Sequence, residues 1–189
     1  LIDGNTQTNR SLSVDPAYTL VHSGDVKIYE NLAKLPPAFV VHQARVVSDD
    51  QAALDILRSP DLDPAREVIL SDGEPLASED GESNVDLIAY RAEQIQLAVT
   101  LDAPGYLVLT DAYYPGWTAE VDGRAATILR ADLYFRAIAL EPGDHEVTFR
   151  FRPASVRIGL GVSLVAWLVF ILLLAIVPRR TGRKMPTDV

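Results

Sequence analysis

The chain has 189 residues, no cysteine and a formal net charge of −9. Residues 1–156 carry 12 basic and 25 acidic groups, whereas the remainder carries five basic groups and one acidic group. The acidic part repels phosphate backbones, which argues against a nucleic-acid partner, and the lack of cysteine excludes disulfides and thiolate metal sites.

Residues 1–83 are predicted to form a small mixed α/β segment. Alternating or β-branched runs predict strands at residues 18–22, 26–29, 38–47 and 67–70. Asp49 or Asp50 can cap a short helix that ends at Leu57. An acidic loop at residues 71–84 marks the predicted internal boundary.

The N-terminus shows no apolar run of the kind found in a signal peptide, and the chain begins with Leu1 rather than Met. We therefore expect this chain to be the C-terminal piece of a longer protein whose earlier segments direct membrane insertion. The alternative is a complete tail-anchored protein that has lost its initiator Met.

From residue 84 to residue 153 the hydrophobic pattern changes to a period of two. This pattern predicts an antiparallel β-sandwich core of jelly-roll type. Its strands are expected at residues 85–90, 94–101, 106–110, 117–121, 126–130, 134–140 and 146–152. Asp122 and Gly123 predict a two-residue hairpin turn, because both residues tolerate positive φ.

Residues 158–177 contain no charge, and 14 of these 20 residues are Leu, Ile, Val or Phe. As a helix they would extend ~30 Å, the thickness of a bilayer's hydrocarbon core. We predict a transmembrane helix at residues 154–178. A buried core helix is the alternative. Trp167 lies in mid-span and is expected to pack on neighbouring helices. The predicted fold class is therefore mainly β, with one C-terminal transmembrane α-helix.

Four cations follow the apolar block, which favours a basic cytoplasmic tail at residues 179–189 and an extracytoplasmic β-domain in the cell membrane. A wall-sorting signal is the alternative, but no LPxTG-like motif precedes the block. Cations on both sides suit anionic lipid headgroups, although a solvated strand face also explains those before the helix. The predicted headgroup residues are Arg150, Arg152, Arg157, Arg179 and Arg180.

The chain resembles the bacterial YfhO family of membrane proteins in the order and spacing of several short motifs. In the second half these motifs are LVLTDAYYPGW at 107–117, VDG at 121–123, FRA at 135–137, PGDHEV at 142–147 and FRFRP at 149–153, followed by the apolar helix. In the first half, GDVKIYEN at 24–31 and LPPAFVV at 35–41 also resemble that family.

The resemblance implies a large polytopic protein related to the GT-C glycosyltransferases, which use lipid-linked sugar donors outside the cytoplasm. The chain would then be the extracytoplasmic β-domain and the last transmembrane helix, with the bilayer, the remaining helices of the parent and a glycan or lipid-linked sugar as partners. Its expected task is non-catalytic help in cell-envelope glycosylation. A purely structural cap and a self-contained carbohydrate-binding or carbohydrate-active module are the alternatives.

Catalytic and metal-binding patterns are weak in this sequence. The three histidines are far apart, and the acidic loop at 72–82 lacks the regular order of a calcium-binding loop. Asp111 and Asp122 could act as paired carboxylates, but turn hydrogen bonds also explain both residues. In the resembled family the presumed catalytic acid lies in an early loop to which nothing here corresponds. We predict no cofactor, no metal and no catalytic residue in this chain.

An aromatic cluster around Pro115 is the strongest candidate for a binding site. Sugars stack their C–H faces on aromatic rings, while neighbouring polar groups take the hydroxyls. The alternative is that Trp117 and one tyrosine close the end of the sandwich core. The predicted glycan residues are Asp111, Tyr113, Tyr114, Trp117, Tyr134 and Arg136.

Overall fold

A computed structural model of the chain describes residues 15–77 and 81–176 and shows a mainly β protein. The predicted tail at residues 179–189, with Arg179 and Arg180, lies outside the described residues, as does the side chain of Arg157. The first 14 residues and part of the acidic loop, residues 78–80, also lie outside them.

Fourteen strands and two helices are formed by the described residues. The helices are α1 (Asp50–Leu57) and α2 (Ala154–Ile176). The strands are β1 (Tyr18–Ser23), β2 (Lys27–Asn31), β3 (Ala38–Val41), β4 (Gln43–Val46), β5 (Glu67–Leu70), β6 (Leu76–Ala77), β7 (Ser83–Arg91), β8 (Gln94–Leu101), β9 (Gly105–Leu109), β10 (Trp117–Val121), β11 (Arg124–Ala126), β12 (Leu129–Ala131), β13 (Phe135–Leu140) and β14 (Gly143–Phe151).

Two sheets pack face to face and confirm the predicted sandwich. One has the strand order β11-β10-β14-β8-β7, and the other has the order β3-β9-β13-β12-β5-β4-β6. The period of two is visible in β8, where Ile95, Leu97, Val99 and Leu101 are buried. These side chains share one core with Leu107 and other buried residues of the facing sheet. Burial of alternate apolar side chains therefore holds the two sheets together.

The N-terminal segment contributes to the larger sheet through a β-α-β unit. β4 and β5 are parallel neighbours joined through α1, and the side chain of Asp49 caps this helix by accepting from the Ala52 N–H at 2.8 Å. β3 pairs with β9, so one sheet joins strands from both sides of residue 83. The division of the chain into domains at that residue stays a prediction.

Two predicted strands are each divided in the structure. Residues 38–47 form β3 and β4, because the chain changes sheet neighbours at His42: β3 pairs with β9, whereas β4 pairs with β5 and β6. Residues 126–130 pass from β11 in one sheet to β12 in the other, and Ile128 packs against the core between the sheets. The Asp122-Gly123 hairpin is confirmed, with φ values of 52° and 74°.

Helix α2 follows β14 almost directly. Its 23 residues would extend about 34 Å, and the helix is long and apolar enough to cross a membrane. Its described side chains are all exposed within the chain, including Trp167, whose ring contacts Phe170 one turn away. Within the described part of the chain these side chains are therefore available to lipid or to other helices, which agrees with the predicted anchor.

Candidate functional site

An aromatic cleft lies at one end of the sandwich, between the loop before β10 and strand β11. It has a volume of about 290 Å³. Tyr113 and Tyr114 stand on its rim with exposed fractions of 44% and 63%. The lining residues are Tyr113, Tyr114, Pro115, Trp117, Thr118, Ala119, Ala125, Ala126 and Ile128.

The loop that carries these aromatic residues is fixed against the start of the membrane helix. Gly116 has φ of 107°, and a Cβ atom there would come within 3.0 Å of Phe151 and Pro153. The Arg152 N–H donates to the Gly116 carbonyl at 2.6 Å, and the Trp117 and Phe151 ring centroids are 5.3 Å apart. Because α2 begins directly after Pro153, the cleft lies at the end of the sandwich from which the helix leaves.

A buried ion pair supports the inner wall of this site. The side chain of Arg136 is 2% exposed and donates from Nη2 to Oδ2 of Asp111 at 2.9 Å. The hydroxyl of Tyr90 donates to Oδ1 of the same carboxylate at 2.6 Å. The Arg136 guanidinium also stacks on Trp117, with its Cζ atom 4.0 Å from the ring centroid. Since Arg136 is in β13 and Tyr90 is in β7, the network links the two sheets.

The electrostatics of the network follow from burial and from the shared carboxylate. Burial lowers the pKa of Arg136, while the Asp111 charge opposes that effect, and an arginine remains charged at any pH where the protein folds. The pKa of Tyr90 is raised, chiefly because its hydroxyl donates to Asp111. Nε and Nη1 of Arg136 are buried without a hydrogen-bond partner among the described residues. The Arg136 guanidinium thus has one ion pair and a stacking contact with Trp117, while two of its nitrogen atoms lack a hydrogen bond within the described residues.

The structure gathers only part of the predicted glycan set at the cleft. Tyr113, Tyr114 and Trp117 line it, whereas the side chain of Tyr134 lies outside and is 66% exposed. Tyr134 contributes instead through its backbone carbonyl, which accepts from the Tyr113 N–H at 2.7 Å. Contact between a glycan and any of these residues stays a prediction.

The two remaining members of that set, Asp111 and Arg136, bind each other and are absent from the cleft lining. The interpretation of Asp111 as a residue that bonds the backbone of the following turn is wrong. Both of its carboxylate oxygens accept from side chains instead, one from Arg136 and one from Tyr90.

The predicted headgroup arginines differ in their surroundings. Arg150 is held by Glu120 in an ion pair of 2.5 Å. Arg152 is exposed, and its side chain has no partner among residues 15–77 and 81–176. Lipid contact by these arginines stays a prediction.

Sequence reasoning missed two polar contacts at this domain. Tyr90 was not associated with Asp111, because the two residues are 21 positions apart and neither belongs to a local motif. His145 was not associated with Asp122 either, and its side chain is only 16% exposed. Its Nδ1 lies 2.8 Å from Asp122 Oδ2, and its Nε2 lies 2.9 Å from the Glu141 carbonyl. The hydrogen bond to Asp122 is the main reason why the pKa of His145 is raised.

Part of the chain matches the model of a known protein family. Residues 77–163 match the model of a family described as bacterial membrane protein YfhO. The matched part runs from the end of β6 into the first half of α2 and includes the aromatic cleft. No curated protein and no solved structure matches the chain. The match confirms the predicted resemblance: residues 77–163 are similar to a family of bacterial membrane proteins, which supports membrane association.

Proposed function

We propose that the chain is a non-catalytic, membrane-anchored domain that holds a glycan or lipid-linked sugar beside the bilayer. In this proposal another part of a longer protein transfers the sugar during cell-envelope glycosylation. The observation that carries the proposal is the aromatic cleft at the helix-bearing end of the sandwich, with Tyr114 exposed and Gly116 packed against Pro153.

The chemistry of the cleft suits a sugar ring. An exposed tyrosine ring can stack on the C–H face of a sugar, and its hydroxyl can bond the sugar's polar edge. The volume of about 290 Å³ is close to the lower limit of ~300 Å³ for ligand pockets, which favours one or two sugar units over a long buried chain. The nearness of α2 favours a sugar that is itself attached to the membrane.

The orientation is also proposed. The four cations after the apolar block favour a cytoplasmic tail, which would place the sandwich outside the cytoplasm. Residues 84–153 would then form the binding core, and residues 1–83 would support it.

A purely structural cap is the second candidate, and the buried Arg136–Asp111 pair favours it. The pair and its stacking on Trp117 show that part of the aromatic cluster serves the core. Trp117 is therefore a poor residue for testing ligand binding, since its removal would also disturb the packing of Arg136.

A self-contained carbohydrate-active module is the third candidate.

Tyr114 and Tyr134 provide a cleaner comparison, because both rings are exposed and only Tyr114 lines the cleft. The full chain in nanodiscs would be titrated with neutral and acidic envelope oligosaccharides by isothermal calorimetry. Tyr114→Ala should weaken binding about three- to tenfold, the usual contribution of one aromatic contact. Tyr134→Ala should leave the affinity unchanged.

Each other result selects an alternative. Absence of heat with every oligosaccharide would support the structural cap. Equal losses in both tyrosine variants would place the ligand elsewhere. Turnover of an oligosaccharide by the isolated chain would contradict a non-catalytic role.

A further inference from the structure

The junction between β14 and α2 presents one basic side chain that the fold leaves without a partner. Arg150 points to Glu120 on the neighbouring strand and forms a 2.5 Å ion pair. Arg152, two residues later, is exposed, and its guanidinium has no ion pair or hydrogen bond within the described part of the chain. The two arginines therefore differ in whether they are free to bind a ligand, although the alternating pattern places both on one face of the strand predicted at residues 146–152.

The backbone around Arg152 is fixed in place. The Arg152 N–H donates to the Gly116 carbonyl at 2.6 Å, and the Phe151 N–H donates to the Glu93 carbonyl at 2.9 Å. Helix α2 begins at Ala154, two residues after Arg152. A guanidinium just before the start of a membrane-spanning helix lies at the level of the lipid headgroups.

A second cleft lies beside this arginine. It has a volume of about 390 Å³ and is lined by Glu93, Phe151, Arg152, Pro153 and Val156. Three of these residues are apolar, and Val156 belongs to α2 itself. The cleft therefore joins an apolar wall, which continues onto the membrane helix, to a free cation and one carboxylate. That combination matches a lipid whose phosphate bears a hydroxylated headgroup, because the carboxylate of Glu93 can accept from the hydroxyls.

We propose that this junction cleft is a binding site for one anionic phospholipid, with the lipid phosphate on Arg152 and the glycerol and upper acyl region against Phe151 and Val156. The site shares no lining residue with the aromatic cleft. The proposal rests on the membrane association of the chain and is independent of glycan binding. Arg150 takes no part in it, because Glu120 already holds its guanidinium.

The test compares two variants that remove the same charge. The full chain would be released from detergent micelles that contain phosphatidylglycerol or phosphatidylcholine, and native mass spectrometry would measure the fraction that retains one lipid. Arg152→Gln should reduce the affinity for phosphatidylglycerol about fivefold, the contribution of one basic residue at an anionic surface. Arg150→Gln should change it by less than twofold. Arg152→Lys should retain most of the affinity, because a lysine also neutralises a phosphate.

A third variant tests the apolar wall. Val156→Trp should fill the cleft and lower phosphatidylglycerol retention while Arg152 is still present. Circular dichroism would check that each variant keeps the β-sheet and helix signals. The proposal is overturned if both Arg→Gln variants lose the lipid equally, if phosphatidylcholine is retained as well as phosphatidylglycerol, or if Val156→Trp has no effect. Displacement of the lipid by millimolar glycerol phosphate would also overturn it, because the site would then recognise a free phosphate.

Discussion

Removal of the Asp111 carboxylate should destabilise the sandwich more than its position in a surface loop suggests. Arg136 is 2% exposed, so Asp111→Ala leaves a guanidinium buried without its counter-charge. Loss of one partner of a buried ion pair costs about 3–5 kcal/mol. The Asp111 side chain is 28% exposed, so water can partly replace it, and we expect a loss of about 2–3 kcal/mol.

Urea unfolding of the full chain in detergent measures this loss. The chain has two tryptophans, and a Trp167→Phe background leaves Trp117, which stacks on Arg136, as the fluorescent probe. In a double-mutant cycle, Asp111→Ala with Arg136→Met should be more stable than Asp111→Ala alone, since no unpaired charge remains. A cost below about 0.5 kcal/mol for Asp111→Ala, or a double variant less stable than Asp111→Ala alone, would refute this reasoning.

Three further predictions concern pH and backbone strain. The pKa of His145 is raised and that of Asp122 is lowered by their mutual hydrogen bond. Their contribution to stability is therefore fully present above the unfolded pKa of the aspartate and below that of the histidine, about pH 4 to 6.5. It is lost as the pH rises through the folded pKa of His145, so the urea midpoint should fall as the pH rises above about 6.5. The fall should be smaller in His145→Gln; parallel curves would contradict this. Burial raises the pKa of Asp132, so its charge at pH 7 is unfavourable. Asp132→Asn should raise the stability at pH 7, because an amide avoids the buried charge and can still accept the hydrogen bond from the Ile69 N–H. The advantage should disappear in acid, where Asp132 is itself neutral; a destabilised variant would show that the charge itself is needed. Gly116→Ala should cost about 1 kcal/mol more than Gly123→Ala, because both sites have positive φ but only Gly116 lacks room for a Cβ atom; equal thermal shifts in the two variants would contradict the packing of the loop on the helix start.

The features predicted correctly are those that local patterns determine. The alternation of residues 94–101 places every second side chain in the core, and Asp49 caps α1 through a contact three residues away. Asp-Gly defines its hairpin because only such residues accept two successive positive φ values readily. The apolar block fixes the membrane helix by length and composition alone.

The features missed depend on which strands become neighbours. The run at residues 126–130 has a single continuous pattern, yet the chain leaves one sheet and enters the other within it. Such a crossing is set by the packing of both sheets around Ile128 and leaves no local signal.

The burial of Arg136 did leave a signal in the sequence. The alternation of β13 places Arg136 on the same face as Ile138 and Leu140, which point into the sandwich. A charged residue in an inward position predicts a buried partner. Its identity as Asp111, assisted by Tyr90, depends on tertiary contacts across 25 and 21 positions and could not be read from spacing.

Cysteine labelling tests whether the β-sandwich lies outside the cytoplasm and the tail after α2 lies inside it. The chain contains no cysteine, so one introduced thiol gives an unambiguous signal. Ser83→Cys lies on an exposed position of the sandwich, and Thr181→Cys lies in the basic tail. With a membrane-impermeant maleimide, we expect labelling of Ser83→Cys in intact cells and labelling of Thr181→Cys only after permeabilisation. The reverse pattern, or equal labelling of both thiols in intact cells, would contradict it.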